Sequence, residues 1–287
     1  MKSIRGVWAA VLALAAACSL PSVTVHSSTT FRDPPKYEVH AVRFATIKGF
    51  PKRSLIAGAP ASDSLDIAMM VWVVRGGGRT ILVDAGFYRE KFMRQWKPVD
   101  YRKPSDAIDA LGIKPEDVTD IIVSHIHWDH ADGVDLFPRA KVWLQKEEYE
   151  YYVTDSGTVK QRAIDADVAK MFFGLKAAGR VNLVNGDAQE ILPGISVYTG
   201  GKHTFASQYV GVPTRSGTVV LASDNAYLYE NLERHVAINQ TLDPASNLAA
   251  QARMQTIASL PRLIVPGHDP QVFTRFTAGA GRVARID

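Results

Sequence analysis

His125, His127, Asp129 and His130 fall within six residues, an HxHxDH run that puts three imidazoles and a carboxylate on one short segment. Packing does not require such a cluster. Nitrogen and oxygen donors of this kind bind zinc at roughly 2.0–2.2 Å, and an incompletely filled shell leaves room for water. In an extended segment His125 and His127 point to one side, and a turn after them lets Asp129 and His130 face a second position nearby. One loop can then serve two metals. Three further donors stand where strands should end: His203 after Gly200-Gly201, Asp224 after Val219-Val220-Leu221, and His268 directly after Gly267. His26, His40 and His235 have no such setting. A zinc-storage protein would carry its histidines as one disordered run. Here the donors converge only on folding, which favours a shaped catalytic pocket over a binding protein.

The elements that must present these donors are short strands ending in loops. Residues 37–47 alternate as a strand, and the apolar runs 68–74 and 80–83 flank Gly76-Gly77-Gly78 as a hairpin. Ser105 is expected to cap a short helix to Leu111, and 121–123 forms a buried strand leading straight into the histidine cluster. Further strands are expected at 142–144, 181–184, 195–199, 208–212, 218–222 and 263–265, with helices over 146–152 and 163–178. Asp243-Pro244 opens a helix to about residue 259, the Asp as N-cap and the Pro at the first helical position. Strands in both halves with helices between them predict an α/β fold of packed sheets covered by helices.

Composition sets the frame: 46% hydrophobic and 22% charged residues describe a globular chain able to bury a sizeable core. Residues 1–17 read as a signal peptide, with Lys2 and Arg5 ahead of an apolar stretch too short to span a membrane. Removing those two cations takes the net charge from +4 to about +2, too little to argue for nucleic acid. Residues 18–36, rich in Ser, Thr and Pro, read as a tether, so one domain is expected over 37–287. Cys18 is the only cysteine and follows Leu14-Ala15-Ala16-Ala17. That is either a lipoprotein processing site, tethering the product to a membrane, or plain signal cleavage releasing it to the periplasm or medium. Either way the expected chain is exported. A monomer or a homodimer is expected.

Leu82-Val83-Asp84-Ala85-Gly86, the HxHxDH run, His203, Asp224 and His268 together resemble the five motifs of the metallo-β-lactamase superfamily. The resemblance implies a four-layer αβ/βα sandwich with its metals at the sheet edge. It also implies that His125, His127 and His203 hold a first metal and Asp129, His130 and His268 a second, with Asp224 bridging and Asp84 orienting imidazoles from behind. The cofactors are expected to be two Zn2+ ions, although other divalent transition metals take the same donors. Two cations sharing a water would lower its pKa and supply metal-bound hydroxide to an ester, amide or lactone carbonyl. Asp129 would carry a proton as well as ligate.

Within that superfamily VLASDNAYLYE, from Val220 to Glu230, places Tyr227 three residues after Asp224. This is similar to the N-acyl-homoserine lactone lactonases, where a tyrosine at that spacing reaches the substrate carbonyl and can stabilise its oxyanion. Tyr229 is read as packing. The HTFASQ stretch at His203 departs from that group's usual Pro-Gly, so the shape of the neighbouring loop and acyl-chain pocket does not carry over from that group. Trp128, inside the donor loop, and Phe205 are the candidate walls of a substrate pocket; Met69, Met70 and Phe87 read as core. A small-molecule lactone or ester is the expected substrate. Phosphotriesterase or β-lactamase activity stands as the alternative, with Asp224 arguing against the zinc β-lactamases.

Overall fold

The computed structural model describes residues 35–159, 161, 163–278 and 281–286. The leader over 1–17, Cys18 and the tether up to residue 34 lie outside the described residues. Strands β1 (Glu38–Pro51), β2 (Ser64–Gly76) and β3 (Arg79–Val83) open the fold as an antiparallel meander. Gly77 and Gly78 turn β2 into β3 at φ 57° and 73°, the two positive values that a two-residue hairpin turn needs.

Helices α1 (Glu90–Trp96) and α2 (Pro104–Ala107) follow, then β4 (Asp120–Ile122), α3 (Trp128–Ala131), β5 (Lys141–Gln145), α4 (Lys146–Tyr152), α5 (Ala166–Ala177) and β6 (Val181–Val184). The chain then forms β7 (Gln189–Leu192), β8 (Ile195–Thr199), β9 (Gln208–Thr214), β10 (Gly217–Ser223), α6 (Tyr229–Glu233), α7 (Pro244–Ile257), β11 (Ile264–Pro266) and α8 (Val272–Arg275). It closes with β12 (Thr277–Ala278) and β13 (Val283–Arg285). Asp243 caps α7 as expected, its carboxylate accepting from the Ser246 N–H at 3.1 Å. Ser105 does not cap α2: Lys103 holds that position, Pro104 takes the first turn, and the Ser105 hydroxyl donates to Asp106 instead. A proline with its φ already set starts the helix without help from a side-chain acceptor.

One sheet runs β12-β13-β1-β2-β3-β4-β5-β6 and the other β11-β10-β9-β8-β7. Side-chain alternation builds the layers. Trp72 in β2 and Val219 and Leu221 in β10 point between the sheets, into one core with Val197 and Val210. Their neighbours Val71 and Val73 point outward to a second core under α1, α2 and α5, with Phe92, Ala107 and Phe172. Val220 and Ala222 face the opposite way, against Ala250 and Met254 of α7. Helices, two sheets and a helix thus make the four-layer α/β sandwich.

Candidate metal centre

The donors gather where parallel strands end together. The parallel strands β3 and β4 run in register, Val83 opposite Ile122, and deliver Asp84 and the 124–130 segment to one edge. In the other sheet β10 and β11 are parallel with Ser223 opposite Pro266, which sets Asp224 beside His268. Gly267 is required there: a Cβ would lie 2.7 Å from Asp224 Oδ1 and 2.9 Å from the Ser223 backbone. His203 comes from the turn between β8 and β9.

Two groups of donors result, His125, His127, His203 and Asp224, and Asp129, His130, His268 and Asp224, each with its ligand atoms within 4.8 Å of one another. Asp224 belongs to both. Its Oδ2 stands 3.3 Å from both His203 Nε2 and His130 Nε2, and its Oδ1 stands 3.0 Å from His268 Nε2. In the first group His127 presents Nδ1, 3.0 Å from His125 Nε2 and 2.9 Å from His203 Nε2. Asp129 Oδ2 lies 3.5 Å from His130 Nε2 and 3.7 Å from His268 Nε2 in the second.

Each of the other imidazoles is fixed through its far nitrogen. His130 Nδ1 donates to Asp84 Oδ2 at 2.8 Å, His203 Nδ1 to the Gln240 carbonyl at 2.7 Å and His268 Nδ1 to the Ala68 carbonyl at 3.1 Å. His125 Nδ1 meets the Ser124 hydroxyl at 2.9 Å. Asp84, fully buried, also accepts from the Ser124 N–H at 2.8 Å and from the Ser124 and Ser223 hydroxyls at 2.9 Å. Anchoring of this kind fixes tautomer and ring orientation.

The electrostatics divide the groups. Burial, reinforced by neighbouring imidazoles, pushes His125 far down and His127 down to about 3, so both rings stay neutral with lone pairs free. Burial also opposes charge on His130 and His268, but Asp224 and Asp129 outweigh it and raise both. The same attraction, chiefly from His130, lowers Asp129 and Asp224 against their own desolvation. Three ring nitrogens, His125 Nε2, His127 Nδ1 and His203 Nε2, converge within 3.0 Å, and with His125 and His127 neutral a single ring proton cannot serve both contacts of His127 Nδ1 equally. His130 Nε2 and Asp224 Oδ1, both buried, have polar neighbours at 3.3 and 3.0 Å but none in hydrogen-bond geometry. A pair of cations would satisfy all of these atoms, so the donor set fits transition-metal ions.

Above the donors lies a cavity of about 180 Å³. Its polar floor is His127, Asp129, His203, Asp224 and His268; its apolar wall includes Phe50, Met69, Trp96 and Trp128. Trp128 is stacked between Phe92 at 4.8 Å and Trp96 at 5.2 Å. Met69, expected in the core, is buried and also reaches the cavity. Phe205 is absent from this lining: it stacks on Tyr151 at 3.9 Å and lies under Lys202. The turn at His203, held by that stack, carries Phe205 away from the donors. Tyr227 lines the cavity, its hydroxyl 3.3 Å from His203 Nδ1 and 3.4 Å from Gln240 Oε1, and burial raises its pKa well above the usual phenol value. Tyr229 packs beneath the Arg275 guanidinium at 3.8 Å, as expected of a packing residue.

Sequence reading missed Ser124, Ser223, Gln240 and Glu148. Ser124 and Ser223 adjoin donors, and that adjacency was their one available signal. Nothing local marks Gln240 or Glu148.

A family model described as the metallo-beta-lactamase superfamily matches residues 70–268, more than half of the chain. The chain belongs to the metallo-beta-lactamase superfamily. Among curated relatives in that superfamily, the N-acyl homoserine lactonase AiiA of Bacillus thuringiensis subsp. kurstaki is 30% identical over 165 residues, 56% of this chain and 60% of the relative. The N-acyl homoserine lactonase AttM of Agrobacterium fabrum is 26% identical over 176 residues, 60% of this chain and 65% of the relative. The matched region thus spans less than two thirds of either relative. A crystal structure of a B. thuringiensis AiiA mutant with N-decanoyl-L-homoserine bound superimposes with a TM-score of 0.70 at 20% identity, covering 86% of this chain and 98% of the other. At that identity the superposition establishes the shared superfamily fold.

Proposed function

We propose that the chain is a two-zinc hydrolase that opens N-acyl homoserine lactones. The observation that carries this reading is the pair of donor groups sharing Asp224 on the floor of an apolar cavity, with the Tyr227 hydroxyl beside them. The relatives AiiA and AttM, both N-acyl homoserine lactonases, support it. His125, His127 and His203 would hold one ion, Asp129, His130 and His268 the other, and Asp224 both. When bound, the ions supply Lewis acidity, polarising a carbonyl and lowering the pKa of water.

The chain's own residues account for the rest. Tyr227 keeps its proton because burial disfavours the phenolate, and so it can donate to the carbonyl oxygen as negative charge develops there. Asp129 can take the proton of the attacking water and return it to the alkoxide when the ring C–O bond breaks. The Phe50, Trp96 and Trp128 wall would shelter the acyl chain and exclude water.

The test is pH-stat hydrolysis by metal-quantified protein of a long-chain acyl-homoserine lactone, a simple γ-lactone, a β-lactam and a phosphotriester. Preference for the acyl lactone is expected; preference for the phosphotriester or β-lactam overturns the substrate assignment. The apolar leader and Cys18 support an exported, periplasmic or lipid-anchored enzyme. N-terminal mass spectrometry of the membrane fraction checks the anchor, which an unmodified mature N-terminus would refute.

A further inference from the structure

Glu148 is fully buried on α4, and each of its carboxylate oxygens accepts a backbone N–H from a different donor-bearing segment. Oε1 accepts from Ile126 at 3.2 Å, the residue between His125 and His127. Oε2 accepts from Ala206 at 2.8 Å, three residues beyond His203. The same face of α4 grips that second segment twice more: the Tyr152 hydroxyl accepts from the Phe205 N–H at 3.2 Å, and Tyr151 stacks on the Phe205 ring at 3.9 Å and 2°. Residues 148, 151 and 152 share this face by their i, i+3, i+4 spacing. A buried carboxylate is costly unless hydrogen-bonded, and these bonds tie together two loops far apart in sequence.

We propose that Glu148 is a positioning residue for the His125, His127 and His203 group alone, setting the distance between its two segments and hence its affinity for a metal ion. The inference rests on the ligand reading above. The second group has separate supports, Asp84 behind His130 and the Ala68 carbonyl behind His268. A glutamine at this position offers one oxygen and one NH2, so either the Ile126 or the Ala206 N–H would face a donor. One segment would then be released while the helix keeps its shape.

Zn2+ affinity, measured by chelator competition on the full chain, tests this. In a His268→Ala background, which leaves the first group, Glu148→Gln should weaken zinc binding about tenfold or more. In a His127→Ala background, which leaves the second group, the same change should have no measurable effect. Circular dichroism and thermal melts identify any variant that fails to fold, and Glu148→Asp serves as a second, still anionic variant expected to retain more zinc than the glutamine. Equal weakening in both backgrounds would make Glu148 a general structural residue and overturn the proposal; unchanged affinity in both would overturn it as well. If the parent chain binds no zinc, or if the two histidine variants bind as much as the parent does, the ligand reading itself fails and takes this inference with it.

Discussion

Asp84→Asn isolates what a charge behind the donors contributes. The backbone at Asp84 is left-handed, φ 60°, a conformation that Asn tolerates nearly as well as Asp, so the change alters the carboxylate and little else. Four groups donate to that carboxylate in the structure: the His130 ring, the Ser124 N–H and the hydroxyls of Ser124 and Ser223. An amide has a single acceptor oxygen. If its NH2 replaces Oδ2, His130 Nδ1 loses its partner and its tautomer is no longer fixed; if it replaces Oδ1, the buried Ser124 N–H is stranded. Losing one charge-assisted hydrogen bond in a buried site costs about 1.5–3 kcal/mol. Loss of an outer partner of a ligand imidazole typically weakens metal binding about 10- to 100-fold, or ~1.4–2.8 kcal/mol. The two routes agree, so about tenfold or greater loss of zinc affinity is expected, with kcat/KM for lactone opening falling alongside. Chelator competition and stopped-flow turnover on metal-saturated protein measure both. Parental affinity and turnover in a correctly folded Asp84→Asn protein would show that the charge is dispensable.

Tyr227→Phe should keep both zinc ions and lower kcat about tenfold or more, checked by metal analysis and steady-state kinetics. Gly267→Ala should weaken both ions together, because the added methyl presses on the shared Asp224, and should destabilise the fold by about 1–3 kcal/mol, readable in a urea melt. Stripping metal with a chelator should abolish turnover and lower the melting temperature, and Zn2+ should restore both; a melting point indifferent to metal would contradict binding to the folded state.

The set of residues that converge was legible because HxHxDH is dense and because Asp224 and His268 follow apolar strands that announce their own ends. The strand pattern was legible for the same reason: Val219, Val220 and Leu221 make one short run bounded by turns. The missed elements are those whose order comes from distant contacts. Strand β13 is only three residues long and exists because it lies between β12 and β1, with Val283 opposite Val42 of β1. Helix α1 carries one fully buried residue, Phe92, too little for a visible period. Phe205, read as a pocket residue for its apolar ring near His203 in sequence, is a case in point: it stacks on Tyr151, more than fifty residues away. Glu148 looks like any acidic residue of a surface helix in KEEYEYY, and only the packing of two remote loops onto it reveals its burial.

The Tyr227 hydroxyl is held loosely, and that makes its substitution informative. His203 Nδ1, 3.3 Å away, already directs its proton to the Gln240 carbonyl at 2.7 Å, so it offers the phenol no lone pair. The remaining acceptor, Gln240 Oε1, lies at 3.4 Å, near the limit of a hydrogen bond. A weak bond contributes little to the folded state, so Tyr227→Phe should leave the melting temperature close to that of the parent. The same weakness leaves the proton available to an arriving oxygen, where bonding strengthens as charge accumulates. A rate loss without a stability loss therefore reports chemistry at the carbonyl. A variant that instead lost several kcal/mol of stability would mean that the hydroxyl serves the fold, and any slowed turnover would then say nothing about an oxyanion.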